Sequence, residues 1–379
     1  MEKFKEEKRM KKLFALLLAL AMVFALAACG SNGGNSAPAA SGGDKSAAGD
    51  SSAAGGDVDP LTIKFSSTYQ ETETGGIIEK YFIDQLKDIS GGAIDVDITW
   101  GGTLFDASGE MDAVMDGVVD MIALGHMPHL DTIPYLSMPG FAPGGTQAAL
   151  DYFNTLMFDD PETSKLIQDE ATDLGIKYLN VIAGGANAFA AKYSFSDLQS
   201  LVDGSSAFGN FDAAIFESLG FQVTAVTPPE TYEALDRGMI DATQMALAPM
   251  VSMAWYEVAP FWALDGTYTA GNFFTVNLDW WDGLTDAQRD CIQKAADATE
   301  EYSATLYDDA IATDIQTVED ATGNKFVELS QADIDTFWSA CFEAKAADAM
   351  ARAEKHGVSE GMHTILEKAA EITGYDWKG

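Results

Sequence analysis

Apolar and polar positions along the body of the chain switch repeatedly between a period of about two residues and one of about 3.6. Leu61–Ser67 reads as a strand and ends at the turn-prone segment Tyr69–Gly76. Ile77–Ile89 then puts Ile77, Ile78, Tyr81, Phe82, Leu86 and Ile89 on one helical face, closed by Gly91-Gly92. Ile94–Trp100 alternates as a strand whose solvated face carries Asp95 and Asp97. Glu110–Met115 is helical, stopped by Gly117, and Val118–Leu124 is a near-continuous apolar run typical of a strand covered on both faces. This rhythm predicts an α/β architecture with a largely parallel sheet.

A second α/β region begins near Ile176. Strands are predicted at Ile176–Ile182, Gln222–Val226, Ile240–Met245 and Phe273–Asn277, with helices at Phe211–Leu219 and Glu230–Arg237, ended by Gly220 and Gly238. A longer helix starts after Leu284, where Thr285 and Gln288 have the spacing of a capping box. No Pro or Gly follows until Gly323, so it can reach 37 residues, or about 55 Å. That length suits a strut shared by two lobes. Ser330–Lys355 is a further helix, ended by His356-Gly357.

The amino terminus is different in kind. Lys3, Lys5, Lys8, Arg9, Lys11 and Lys12 precede the apolar run Leu13–Ala28, the layout of a secretory signal over residues 1–28. The run is shorter than the roughly 20 apolar residues that favour a span. It ends in Leu26-Ala27-Ala28-Cys29, which resembles a bacterial lipobox and makes Cys29 the expected site of lipidation (palmitate among the chains added). Residues 29–60 are mostly Gly, Ser, Ala, Asn and Asp, a composition that buries no core and acts as a tether. A lipid at one end and a folded body at the other predict an extracytoplasmic protein held at the membrane, on the periplasmic side or the cell surface.

Charge removes several classes of function. With 59 acidic and 22 basic residues the chain carries −37. Loss of residues 1–28 leaves 16 basic against 56 acidic groups, or −40. A folded body so short of cations is no nucleic-acid binder. Its 11% aromatic content also separates it from an acidic disordered chain. Candidate chemistry is sparse. His126-Met127-Pro128-His129 lacks the Cys or Glu that completes a zinc signature, and no nucleophile elbow or phosphate loop occurs. No catalytic residue, metal or cofactor is expected. Cys291 and Cys341 fall on apolar helical faces and read as buried thiols, with a disulfide between them left open. Loops at the ends of strands are richer in aromatic and small residues: Tyr69-Gln70, Trp100-Gly101-Gly102, Gly125-His126-Met127 and Phe208-Gly209-Asn210. Such loops flank the clefts where α/β folds bind ligands.

These segments together resemble the solute-binding subunits of tripartite ATP-independent periplasmic (TRAP) transporters, of the dicarboxylate-binding, DctP-like type, over about residues 60–325. Glu79-Lys80-Tyr81-Phe82 with Ser90-Gly91-Gly92 is similar to the family's first helix and turn. Gly101-Gly102-Thr103-Leu104 and Gly117-Val118-Val119-Asp120 follow at the family's spacing, then Ser196-Asp197-Leu198-Gln199-Ser200-Leu201. The most specific piece is Glu230-Thr231-Tyr232-Glu233-Ala234-Leu235-Asp236-Arg237-Gly238-Met239-Ile240-Asp241, followed by Tyr256-Glu257-Val258-Ala259 and Trp280-Trp281-Asp282-Gly283-Leu284. The resemblance implies a two-lobed periplasmic-binding clamshell, a monomer, that closes on a small solute and passes it to TRAP membrane subunits. Lobe 1 is expected at 61–183, completed by about 269–307, and lobe 2 at 184–268, completed by about 308–379. A sensor of the same fold partnered with a receptor, or less readily an extracytoplasmic enzyme, is the alternative.

The departures from the family pattern bear on the ligand. Where the family places an Arg that pairs with a ligand carboxylate, this chain reads Val202-Asp203-Gly204-Ser205-Ser206-Ala207, and where some members keep a second Arg it reads Gly184-Gly185-Ala186-Asn187. The position of a further polar contact holds Met245. Arg237, Arg289 and Arg352, the arginines left after processing, fall on helical patterns away from these loops, and Lys192 is the one cation nearby. An aromatic or largely apolar solute is therefore expected, with Trp100, Met127, Phe208 and Met245 as apolar contacts. Tyr69, Gln70, Asn187, Ser205, Asn210 and Gln244 would orient its polar groups.

Overall fold

The computed structural model describes residues 58–125, 127–210 and 212–379; the signal segment, Cys29 and residues 29–57 of the tether lie outside them, as do His126 and Phe211. The body begins with β1 (Leu61–Ser66), α1 (Thr74–Ile89), β2 (Ile94–Thr99), α2 (Glu110–Met115) and β3 (Met121–Gly125). Then come β4 (Phe141–Pro143), α3 (Thr146–Asn154), α4 (Pro161–Asp173), β5 (Ile176–Tyr178) and β6 (Ile182–Ala191). The next stretch holds α5 (Leu198–Gly204), β7 (Phe208–Gly209), α6 (Ala213–Ser218), β8 (Val223–Thr224), α7 (Pro228–Asp236), β9 (Ala242–Ala246) and α8 (Leu247–Ser252). The chain ends with β10 (Phe261–Asn277), α9 (Leu278–Asp282), α10 (Asp286–Thr322), α11 (Gln331–His356) and α12 (Ser359–Thr373).

One sheet in the order β2-β1-β3-β10-β6-β9-β7-β8 runs through the molecule, with β4 and β5 also paired to β10. Its two ends are parallel, β1 with β2 and β3, and β7 with β8 and β9. Its middle is antiparallel, because β10 runs against β3, β4, β5 and β6, and β6 runs against β9. The sheet is thus mixed rather than largely parallel. Helical crossovers operate only within each end, whereas β10 crosses directly from one end to the other and meets its neighbours head to tail. At 17 residues it is also far longer than the Phe273–Asn277 segment its apolar pattern suggests. Asp265, Gly266 and Thr267 break the alternation without breaking the strand. In the other direction, β3 starts only at Met121, because Gly117 turns the chain at φ 68° and Val118 stands 56% exposed.

Alternation along the sheet separates the cores. Phe274, Phe65, Phe82, Ile292 and Ala295 pack together on one face, whereas Phe273 belongs to a larger cluster on the other, with Phe153, Phe189, Phe337 and Phe342. The first face holds a second core farther along, built on Trp255, Trp262 and Leu235. Helix α10 covers both: Ile292 and Ala296 enter the first core, Ile311 and Val318 the second. This is a two-lobed α/β clamshell with a long helix spanning both lobes. Thr285 caps that helix with the expected box, its Oγ1 accepting from the Gln288 amide at 3.2 Å, and Gly323 closes it at φ 71°. Helices α11 and α12 cover the opposite face, packed against α4 and Pro134–Ser137 on one side and, for α11, α6 on the other. Cys291 and Cys341 are buried free thiols in different cores, on opposite faces of the sheet.

Candidate functional site

A cavity of about 630 Å³ opens on the α11 side of the sheet, where the two lobes meet. The end of β3 and the turns beyond supply Met127, Leu130, Met138 and Phe141. From the other lobe come Ile215 and Phe216 of α6 and Met245 and Ala246 of β9. The remaining wall is α11, whose Phe337, Cys341, Lys345, Asp348 and Arg352 recur at helical spacing along one face. Polar groups concentrate on the floor, at Asn187, Asn210, Gln244, Thr267, Thr269 and Asn272.

That floor is organised by an irregularity in β10. Leu264 pairs with Ala188 and Tyr268 with Ala186, so Asp265, Gly266 and Thr267 together oppose Asn187. Bulges of this kind redirect side chains and increase local twist. Gly266 takes φ 84°, and an added Cβ would meet Ile334 at 2.6 Å. The Asp265 carboxylate, wholly buried, accepts from Gln244 Nε2 at 2.6 Å and from both the amide and the hydroxyl of Thr267 at 2.7 Å. Burial pushes its pKa up to about 6, against the opposing effect of those donors. Asn187 Nδ2 donates to the Thr267 hydroxyl at 3.0 Å, and Asn210 Nδ2 to the Gln244 carbonyl at 2.9 Å. Asn187, Asn210, Gln244 and Thr267 are thereby tied to one another through these bonds and Asp265, which fixes the cavity's polar pattern before any ligand arrives.

Among the expected site residues, Met127, Asn187, Asn210, Gln244 and Met245 are brought together around this cavity. Tyr69 stands behind it, its hydroxyl accepting from Asn272 Nδ2 and its ring pressed against Gly75. The others lie elsewhere. Gln70 is exposed, with its amide bonded to Glu73 and its side chain against Gly101. Trp100 is half-buried, and its carbonyl accepts from Thr103. Ser205 donates to Asp241 at 2.8 Å, and Ser206 and the Ala207 amide bond to the same carboxylate, closing the loop after α5. Burial opposes ionisation of Asp241, yet these donors hold its carboxyl below the ordinary value. Phe208 sits in an aromatic cluster, 4.6 Å from Phe216 and 4.3 Å from Phe221, and it is Phe216 that reaches the cavity.

The cations also differ from expectation. Lys192 does not line the cavity, and its Nζ donates to the Leu235 carbonyl at 2.5 Å. Arg352, expected to lie away from the binding loops, lines the cavity because α11 folds back across the sheet face. Its Nε donates to Asp348 and its Nη1 to Asp131, each at 3.0 Å, and Lys355 holds the second oxygen of Asp131 at 3.1 Å. Deeper in the wall, Lys345 pairs with Asp212, both about one-quarter exposed. Sequence reasoning missed this wall because Lys345 and Asp212 are 133 residues apart. The available signal was the stripe Phe337, Cys341, Lys345, Asp348, Arg352, a face that begins apolar and turns charged. His129 is buried with its Nε2 at 2.7 Å from the Ala107 carbonyl, and burial lowers its pKa. Among the described residues no group of three or more His, Cys, Asp or Glu is arranged to hold a metal, and no helix is long and apolar enough to cross a membrane.

Comparison with known proteins accords with this geometry. The model of the DctP family, described as bacterial extracellular solute-binding protein, family 7, matches residues 65–350. The C4-dicarboxylate-binding periplasmic protein DctP of Rhodobacter capsulatus is 24% identical over 287 residues, covering 72% of this chain and 81% of that protein. A TRAP periplasmic solute-binding protein from Ochrobactrum anthropi, with a C-terminus bound in its ligand-binding pocket, superposes with a TM-score of 0.70 at 20% identity, covering 84% of this chain and 97% of its own. Another, from Desulfovibrio desulfuricans with bound sn-glycerol-3-phosphate, gives 0.63 at 21% identity, covering 84% and 99%.

Proposed function

The chain belongs to the DctP family of bacterial extracellular solute-binding proteins, of the TRAP type and extracytoplasmic, and we propose that it captures a small aromatic or largely apolar solute in this cavity for delivery to TRAP membrane subunits. The observation that carries the ligand class is the lining. Met127, Met138, Phe141, Ile215, Phe216, Met245 and Phe337 surround a floor of neutral amides and hydroxyls. Soft and aromatic walls with few oriented polar groups suit a solute whose surface is chiefly apolar. Asn187, Asn210 and Gln244 are the groups that orient it, and Met127 and Met245 pack against its body. Tyr69 supports the floor through Asn272.

Native mass spectrometry of the purified protein, followed by identification of what dissociates from it, tests the reading. An aromatic or apolar solute is expected; tight calorimetric binding of succinate or malate would overturn the ligand class. Anchoring through Cys29, with residues 29–60 as tether, is part of the same proposal. Cys29→Ser should release the protein from the membrane fraction and abolish labelling by radioactive palmitate. The clamshell is further proposed to act as a monomer, with lobes at 61–183 and 184–268 completed by the later segments, and light scattering at working concentration tests the first point.

A further inference from the structure

We propose that the solute is a zwitterion with an apolar body, whose cationic and anionic groups insert between Asp212 and Lys345. This rests on the solute-binding reading of the same cavity and specifies the ligand's charge. Among the described residues four charged side chains line the cavity, Asp212, Lys345, Asp348 and Arg352, two of each sign. The two cations are not equivalent. Arg352 is held from two sides by Asp348 and Asp131, and Asp131 is held in turn by Lys355, which makes a closed network at the cavity's edge. Lys345 has one carboxylate partner among the described residues, Asp212, and Asp212 has one cation. This pair is the part of the wall that a ligand can open.

Opening it has different consequences for different ligands. A solute bearing only a carboxylate displaces Asp212 from Lys345 and leaves that partly buried carboxylate without a cation. A solute bearing only an amine leaves Lys345 in the same state. Stranding one member of a partly desolvated pair costs more than the new contact returns. A zwitterion replaces one ion pair with two and strands neither. Two further observations weigh against a simple anion. The buried Asp265 carboxylate lies near Cys341 on the same wall, and after the larger effect of burial it raises the Cys341 thiol pKa, with Lys345 opposing and Asp212 adding to it. The chain as a whole also carries −37. The apolar body is placed by the same two helices: Ile215 and Phe216 lie one turn beyond Asp212, and Phe337 and Cys341 lie two turns and one turn before Lys345.

The test titrates the full chain by calorimetry at neutral pH with two matched sets. One is L-phenylalanine, 3-phenylpropanoate and 2-phenylethylamine; the other is L-leucine, 4-methylpentanoate and 3-methylbutylamine. In at least one set the amino acid should bind tenfold or more tighter than either analogue. Lys345→Met should weaken the amino acid at least tenfold while sparing the amine, and Asp212→Asn should do the reverse with the carboxylate. The double variant Lys345→Met/Asp212→Asn strands no charge, so it guards against misfolding of the single variants, and it should bring the three members of a set within threefold. An analogue that matches its amino acid, a double variant that keeps the preference, or failure of both amino acids to bind overturns the zwitterion. If a singly charged or uncharged aromatic binds instead and Met245→Trp blocks it, solute capture in the cavity still stands. If no probe binds and no solute co-purifies, both readings fall.

Discussion

Gln244 donates its side-chain amide to Asp265 at 2.6 Å across the floor of the cavity, joining β9 to the bulge of β10. A buried carboxylate with three donors is costly to leave half-made, since each donor stripped of its acceptor keeps its desolvation penalty. Asp265→Ala should therefore lower stability by about 2–4 kcal/mol, read from urea unfolding, whereas Asp265→Asn should cost less because one acceptor oxygen remains. Equal losses for the two variants would mean the hydrogen bonds are not what matters at this site.

The bulge itself depends on one residue. Gly266 has φ 84°, and a Cβ there would overlap Ile334 of α11. Gly266→Ala should cost about 1–3 kcal/mol in stability and weaken solute binding, because Asp265 and Thr267 would lose their aim. A Gly266→Ala protein with unchanged melting and unchanged affinity would show that the strand relaxes freely there.

Stability should fall as pH rises through neutrality. Glu79, buried at 1% exposure, has its pKa raised from 4.5 to about 8, first by burial and then by the nearby Glu110 carboxylate, with Ser67 opposing. Glu110 rises to about 7 for the same main reason. Between pH 4.5 and 8 the folded protein holds a proton at Glu79 that the unfolded chain has lost. The contribution is thus complete below pH 4.5 and is lost as pH climbs through 8. Melting temperature should decline from pH 5 to pH 8.5, and Glu79→Gln should flatten that decline. A wild-type profile that rises over this range contradicts the assignment.

Much of this architecture is legible in the chain, and its gaps have physical causes. Thr285 and Gln288 mark the start of α10 and Gly323 its end because capping chemistry is local, carried by residues three apart or by one glycine. The full length of strand β10 is not legible locally because Asp265-Gly266-Thr267 interrupts its apolar pattern, and only the opposing Asn187 shows the interruption to be a bulge. In β6, Ile182–Ala191 is mostly Ala and Gly, so its strand character comes from two partners rather than from propensity. The loops after strands pointed to half of the cavity. The other half is α11, and no local pattern could announce that Arg352 and Asp131, 221 residues apart, would meet.

Met245 offers a way to close the site without breaking the fold. It is partly exposed on β9 and lines the cavity beside Ala246, while also packing against the core built on Trp255 and Trp262. Met245→Trp should crowd that edge of the cavity and weaken capture of the natural solute at least tenfold, at a cost of about 1–3 kcal/mol in stability from overpacking the adjoining core. Calorimetry against the co-purified solute gives the first number and chemical denaturation the second. Intact binding in this variant would place the solute elsewhere.

Helix α10 and strand β10 both pass from one lobe to the other, the helix as 37 unbroken residues and the strand as 17 residues whose pairing slips at the Asp265–Thr267 bulge. A joint whose longer member is one unbroken helix is expected to behave as a leaf spring, with its bend shared along that helix. Admission and release of a solute are then expected to follow a graded flexing with a restoring force, so that the resting aperture is a mechanical property of the beam rather than of any loop at its mouth.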